Sequence, residues 1–399
     1  MSRERRAFAA LAAFFATDGF GLANWAARIP AVKAGHHLSS GELGVVLFAI
    51  ALGAALSMAW TGALASRLGS LRTLYVAATV YLASLALLAQ PSGRWPLTAT
   101  ALLFGAGFGA MNVALNAHAI ALEAAVGRPI LSRLHAAFSG GGLVGTLTGG
   151  LAAAGHVSPR IHLALVAAFG TVVAVVLARA LAIIDGRARG APLFARPQRA
   201  LLALGIIAFC SLLGEGAAAD WSAVFLHSST GASAAVAAAG YFAFSGAMVL
   251  GRLSGDWTAR RYGATRPLRA FTALAAAGLM IALIARTMAL GILGFAMLGL
   301  GLATVVPNVF RAAARATPLA PASGVAAVST LGWLGFLTGP PIIGALASAA
   351  SLPVALGLVV LALTAIATLA PRIDPRPASS SRTHGPERAG LAAPDARGA

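Results

Sequence analysis

The chain has 399 residues, 59% of them hydrophobic and only 10% charged, with a mean hydropathy of +0.84. Soluble proteins carry roughly a quarter charged residues, so these figures exclude a water-soluble globule and point to a bilayer as solvent. The net charge of +18 comes from arginines spaced between apolar runs, with Lys33 the lone lysine, and therefore does not indicate nucleic acid.

Taken in order, about twelve apolar segments are expected, near residues 8–30, 42–66, 72–90, 96–123, 135–157, 161–184, 201–226, 235–257, 268–286, 288–312, 323–349 and 351–370. Each approaches the ~20 residues that a helix needs to cross ~30 Å of hydrocarbon, and the longer ones imply tilt. The first follows Ser2-Arg3-Glu4-Arg5-Arg6 and holds Asp18 in its middle. That makes it a retained anchor rather than a cleaved leader. The fourth carries Asn112, Asn116 and Glu123, which fall within roughly 40° of one another on a helix. The fifth opens on His135 and carries Ser139, Gly142, Gly145 and Gly149, small residues that allow close helix approach. Pro307, Pro340 and Pro341 are expected to kink the tenth and eleventh segments.

The run 185–200 is the substantial internal break, and beyond Pro371 the chain turns to Pro, Ser, Arg and Gly. The expected fold is an all-α integral membrane protein of twelve transmembrane helices in two six-helix, pseudo-symmetric bundles. The bundles occupy 1–184 and 201–370, joined by a cytoplasmic loop 185–200 and followed by a disordered cytoplasmic tail 371–399. With the N-terminus inside, 24 of the 29 basic residues face the cytoplasm, leaving Arg28, Lys33, Arg94, Arg160 and Arg286 outside. This places both termini in the cytoplasm and the protein in the cell membrane.

The halves echo each other at three places. Asp18-Gly19 followed by Trp25 recurs as Glu215-Gly216 followed by Trp221. Arg67-Leu68-Gly69 recurs as Arg261-Tyr262-Gly263, and Gly142, Gly145, Gly149 as Gly332, Gly335, Gly339. Two six-helix halves in parallel repeat are the plan of one large transporter class.

The turn Gly62-Ala-Leu-Ala-Ser-Arg67-Leu-Gly69-Ser-Leu-Arg72 resembles the helix 2–3 signature of the major facilitator superfamily. Gly255-Asp256-Trp-Thr-Ala-Arg260-Arg261-Tyr-Gly263 is its second-half counterpart. The resemblance covers residues 1–370 and implies charge clusters that latch the halves together. Ser66 stands where the family has an aspartate, so Asp256 with Arg252, Arg260 and Arg261 is the better latch, with Arg67, Glu123 and Arg133 as further gating candidates. Within the superfamily, Asn24-Trp-Ala-Ala-Arg28-Ile-Pro30 and Gly107-Phe-Gly-Ala-Met-Asn112-Val-Ala-Leu-Asn116 are similar to the fucose-permease-like branch. Ala26 and Asn112 occupy positions where sugar permeases of that branch carry acids. The likeness therefore points to uncharacterised members of the branch rather than to fucose.

Ionisable groups inside a membrane are costly and normally face a cavity or a partner. Asp18, Glu215 and Asp220 are accordingly candidate proton carriers, with pairing to Arg28 or helix capping as the structural alternative. Asn112 and Asn116 offer donors and acceptors to hydroxyl or amide groups, or else tie helix 4 to its neighbours. Asn24, Trp25, Trp221 and Asn308 join them as substrate-contact candidates. His118 is expected to pack, and Trp60, Trp95 and Trp257 to sit in the interfacial belts.

The Gly105-Ala-Gly107-Phe-Gly109 run lies in an apolar helix with no strand before it, and no phosphate-loop lysine occurs, so neither an enzyme nor ATP drive is expected. The single cysteine, Cys210, leaves no internal disulfide or cysteine-built metal site, and no cofactor is implied. The functional expectation is secondary active transport of a small polar solute, sugar-like or otherwise neutral, by alternating access with a coupling proton in a monomer. The alternatives are an efflux permease for drugs or metabolites, and a membrane sensor of the same fold without turnover.

Overall fold

The structure, a computed structural model, describes residues 3–68, 70–90, 93–127, 130–181, 201–316 and 321–373, and no strand forms among them. The first half comprises α1 (Arg3–Gly35), α2 (Ser40–Leu68), α3 (Ser70–Leu87), α4 (Arg94–Val126), α5 (Leu131–Ala154) and α6 (Pro159–Leu181). The second comprises α7 (Leu202–Thr230), α8 (Ala234–Ala237), α9 (Ala239–Tyr262), α10 (Thr265–Ala285), α11 (Met288–Leu302), α12 (Val305–Ala316), α13 (Pro321–Ala349) and α14 (Leu352–Leu369). Ten spans among the described residues are long and apolar enough to cross a bilayer, and α3 holds a shorter apolar run, Leu71–Leu87. The 24-residue α5 completes twelve crossings. Its glycines, serine and threonines lower its hydropathy because it meets a neighbouring helix more than it meets lipid.

Two departures from the expected segments have local causes. The eighth crossing starts as the single turn α8, capped by Ser233, whose Oγ accepts from Val236 N at 3.4 Å. The tenth breaks between α11 and α12 at Ala303–Thr304, just before Pro307. Pro307 thus falls in the first turn of α12, where a missing N–H costs nothing. Pro340 and Pro341 instead lie within the continuous α13. The loop 185–200 and residues 374–399 lie outside the described residues. Ala370–Ile373 at the head of the expected tail form a 3-10 turn, whose Ile373 carbonyl accepts from Arg315 Nη2 at 3.0 Å.

The repeat is visible in the packing. In the first half α1 lies against α5 and α6, α2 against α4, and α3 against α4 and α6. In the second, α7 lies against α13 and α14, α9 against α11, and α10 against α11 and α14. Glycines set both crossings. A Cβ on Gly145 would fall 2.5 Å from the Phe20 carbonyl oxygen, and one on Gly335 2.2 Å from that of Phe209. Likewise a Cβ on Gly105 would meet Ile50 O at 1.9 Å and one on Gly299 would meet Phe244 O at 2.1 Å. With Phe20 matched to Phe209, the counterpart of Asp18 is Ile207, and Glu215 lies about two turns farther along its helix. The acidic echo read from sequence is therefore not the structural register, whereas the glycine echo is.

The halves touch mainly at one end. There α2 meets α13, where Gly41 N donates to Ser348 Oγ at 2.7 Å and a Cβ on Gly44 would come 2.9 Å from Pro340 O. Beside it α5 meets α8, with Gly150 against Ala235. This is the end that carries the arginine-poor turns.

Candidate functional site

Asn112 and Asn116 lie one turn apart on α4, both partly buried. Asn116 Nδ2 donates to the Asn112 carbonyl at 2.9 Å and approaches its Oδ1 at 3.3 Å. Asn116 Oδ1 sits 3.2 Å from His135 Nε2. An amide oxygen only accepts, so His135 takes the tautomer with its proton on Nε2. The ring is held edge-on against Phe15 of α1, centroids 5.3 Å apart. Thus α1, α4 and α5 fix one exposed imidazole and two amides on the first half's inner face.

The second half answers from α7 and α9. On α9, Tyr241, Ser245 and Arg252 fall within roughly 40° of one face. Arg252 is exposed. It stands within electrostatic reach of Glu215 and Tyr241 in its own half and of His135 across the cleft. The facing of α5 and α9 is direct, since a Cβ on Gly246 would come 3.9 Å from Leu143. Tyr241 had no sequence signal of its own; only its seven- and eleven-residue spacing to Met248 and Arg252 could have exposed it.

Towards the closed end a cavity of about 40 Å³ lies between the halves, walled by Trp25, Phe108, Trp333 and Phe336 with Asp220 at its edge. That is room enough to admit water. The two aromatics from α13 were missed because they sit in an apolar run where packing explains them. Asp18 shares the α1 face of Trp25, is fully enclosed, and has neither carboxylate oxygen hydrogen-bonded among the described residues. Tyr81 donates instead to the Asp18 backbone carbonyl at 2.7 Å, tying α3 to α1.

The remaining candidates are spread through the fold. Asn24 is engaged within the first half: its Nδ2 donates to Phe20 O at 2.8 Å and its Oδ1 accepts from Thr148 at 3.1 Å. Arg28 is buried and donates from Nη2 to the Val157 carbonyl in the α5–α6 turn. Trp221 is fully buried, its indole N–H without a partner among the described residues. Asn308 on α12 is buried and accepts from Arg311 Nη1 at 3.4 Å. His118 is buried against the Ala114 carbonyl of its own helix, 3.0 Å away. Glu123 accepts from Ile130 N at 2.8 Å, closing the α4–α5 turn, and Arg133 lies over Phe8 at 4.8 Å. Arg261 is exposed near the end of α9. The side chains of Arg67, Asp256 and Arg260 lie outside the described residues. Trp60, Trp95 and Trp257 are all exposed.

The sequence profile described as Major Facilitator Superfamily matches residues 8–323. An uncharacterised MFS-type transporter of Yersinia pestis is 35% identical over 360 residues, covering 90% of this chain and 93% of that protein. The membrane protein MosC of Rhizobium meliloti is 34% identical over 348 residues, 86% and 84% of the two chains. Among solved structures, the nucleoside transporter NupG superposes with a TM-score of 0.72 at 14% identity, covering 93% of this chain and 99% of that one. The E. coli fucose:proton symporter FucP does so with a TM-score of 0.61 at 16% identity, covering 92% and 98%. Identities this low show a common fold alone, but the profile and the closer relatives show more: this chain belongs to the major facilitator superfamily of membrane transporters, which are not enzymes.

Proposed function

We propose that the protein is a proton-coupled secondary transporter that moves a small polar solute by alternating access. The observation that carries this reading is the facing pair of polar surfaces at the interface between halves, Asn112, Asn116 and His135 opposite Glu215, Tyr241 and Arg252. The amides suit hydroxyl or amide groups of a solute, and the aromatic wall beneath them suits the apolar face of a ring. Asn24 and Trp221, both enclosed, support the site from behind, and Asn308 flanks it on α12.

The acids supply the coupling. Glu215 borders the cleft in reach of Arg252, Asp220 edges the small cavity, and Asp18 is fully enclosed on α1. A carboxyl that alternates between charged and neutral forms at such a site makes the empty and loaded states differ in charge, which is what couples proton and solute movement. The gate near the arginine-rich end falls to Glu123 and Arg133 on one half and Arg261 on the other, with Arg67, Asp256 and Arg260 as their expected partners.

By the distribution of arginines, that end is cytoplasmic. The contacts of α2 with α13 and of α5 with α8 then close the outer side, and the described form is inward-facing. The protein acts as a monomer in the bacterial inner membrane with both termini in the cytoplasm. The test is counterflow in proteoliposomes, using radiolabelled compounds first picked by thermal shift from sugars, nucleosides and drugs. Uptake driven by an inward proton gradient supports the reading. A compound that stabilises the protein without exchanging across the membrane would favour a sensor of the same fold.

A further inference from the structure

We infer that the transported solute carries an anionic group, and that Arg252 binds it when Glu215 holds the proton. The inference rests on the transport reading and names the substrate class of that same cleft. Arg252 lies ten residues from the end of α9, about 15 Å of helix, and three residues inside the end of the span Ala234–Gly255. It is exposed to the cleft yet makes no hydrogen bond, and no ion pair within 4 Å, among the described residues. Its planar fork of donors matches a carboxylate or phosphate.

Among the described residues, four titratable groups face it. From α7 come Glu215 and, beyond it, Asp220; from α9 itself comes Tyr241; from α5 of the opposite half comes His135. Among the described residues, Glu215 is the anion in direct electrostatic reach of Arg252. His135 cannot serve, because its Nε2 proton is committed to Asn116 Oδ1 and the ring offers that face no negative charge. Asn112 and Asn116 supply neutral contacts for the rest of the solute.

These positions leave two ways to neutralise Arg252 and one guanidinium to share. With Glu215 ionised and no solute, the two charges of the second half balance. With Glu215 protonated and an anionic solute on Arg252, they balance again. The mixed states, solute bound beside ionised Glu215 or protonated Glu215 with no solute, leave a net charge to be enclosed when the cleft closes. Enclosing an unbalanced charge costs several kcal/mol in such surroundings, so the two balanced states cross and the mixed ones do not. Proton and anion then move together. A neutral solute would offer Arg252 nothing, and would leave protonated Glu215 beside an unpaired cation.

The test uses matched pairs on the purified, full-length protein: gluconate with glucose, galacturonate with galactose, lactate with lactamide, and glycerol 3-phosphate with glycerol. Thermal shift is read at pH ~5.5 and ~7.5. The expected result is stabilisation by an anion over its neutral partner, stronger at the lower pH. Arg252→Gln should weaken that anion by roughly tenfold or more, the loss of a charge-assisted pair, and Arg252→Lys should fall between. Glu215→Gln should bind the anion with the pH dependence removed. Equal stabilisation by the neutral partners, no anion selectivity anywhere in the panel, or anion binding unchanged in Arg252→Gln while Arg252→Lys also binds normally, each overturns the inference. Counterflow of a neutral compound would keep the transporter and discard the anion. Selective anion binding without counterflow would do the reverse.

Discussion

Replacing Gly105 with alanine tests whether the helices of the first half are as close as their glycines suggest. A Cβ there would lie 1.9 Å from the Ile50 carbonyl oxygen and 2.6 Å from its carbonyl carbon. Ordinary contact begins near 3.4 Å, so α2 and α4 would have to separate by about 1.5 Å at their crossing. Backbone is the obstacle, not a side chain that can rotate away. Overpacking of this kind costs about 3 kcal/mol, the upper end for one added methyl, while alanine in place of a helical glycine returns ~1 kcal/mol. The net loss is therefore about 2 kcal/mol. Gly140 of α5 is the control, because a Cβ there meets nothing within 4 Å; its alanine keeps only the gain of ~1 kcal/mol. The assay is the monodisperse fraction surviving heating in detergent, with all variants ramped at one rate because such unfolding is irreversible. Gly105→Ala surviving as well as Gly140→Ala would refute the close crossing and the glycine-set register built on it.

Closure at the α2–α13 end can be trapped covalently. A Cβ on Gly41 would lie 3.7 Å from Ser348 Cβ, inside the ~3.5–4.5 Å range of a disulfide. In a Cys210→Ala background, Gly41→Cys with Ser348→Cys should cross-link on oxidation and stop counterflow until reductant is added; flux that continues with the bond formed would mean this end never opens. Tyr81→Phe should cost ~1 kcal/mol by deleting the buried bond to the Asp18 carbonyl, and an unchanged thermal midpoint would remove α3 from the support of Asp18. In the turn after α1, burial and then the charges of Arg160 and His37 push the His36 imidazole below its usual range near 6.5. The folded state thus favours the neutral ring, so this contribution is present above pH ~6.5 and is lost as the pH falls below it. His36→Gln should flatten the acid side of the stability profile, and an equally steep profile in the variant would show that His36 is not the group responsible.

What could be read in the sequence follows from which forces act on each residue. Twelve crossings were legible because bilayer thickness imposes a run of apolar residues whatever the solute. The break before Pro307 and the extra turn at Ala238 were not, since both depend on local backbone geometry that an apolar run does not record. The glycine series in α5 and α13 kept its register because Gly145 and Gly335 each face a carbonyl at a helix crossing, where anything larger forces the helices apart. Asp18 and Glu215 carry no such constraint. Asp18 is enclosed while Glu215 borders the cleft, and the two stand about two turns apart in the matched helices although their sequence surroundings look alike. Arg252 reads from sequence as part of a charged turn, four residues from Asp256, and α9 runs on to Tyr262, ten residues beyond it. Packing preserved the symmetry between the halves, and the cleft broke it. An acid on the second half's inner face, opposite amides and an imidazole on the first, gives the two sides different chemistry, and only an asymmetric cleft can make the charge of one half depend on what the other is holding.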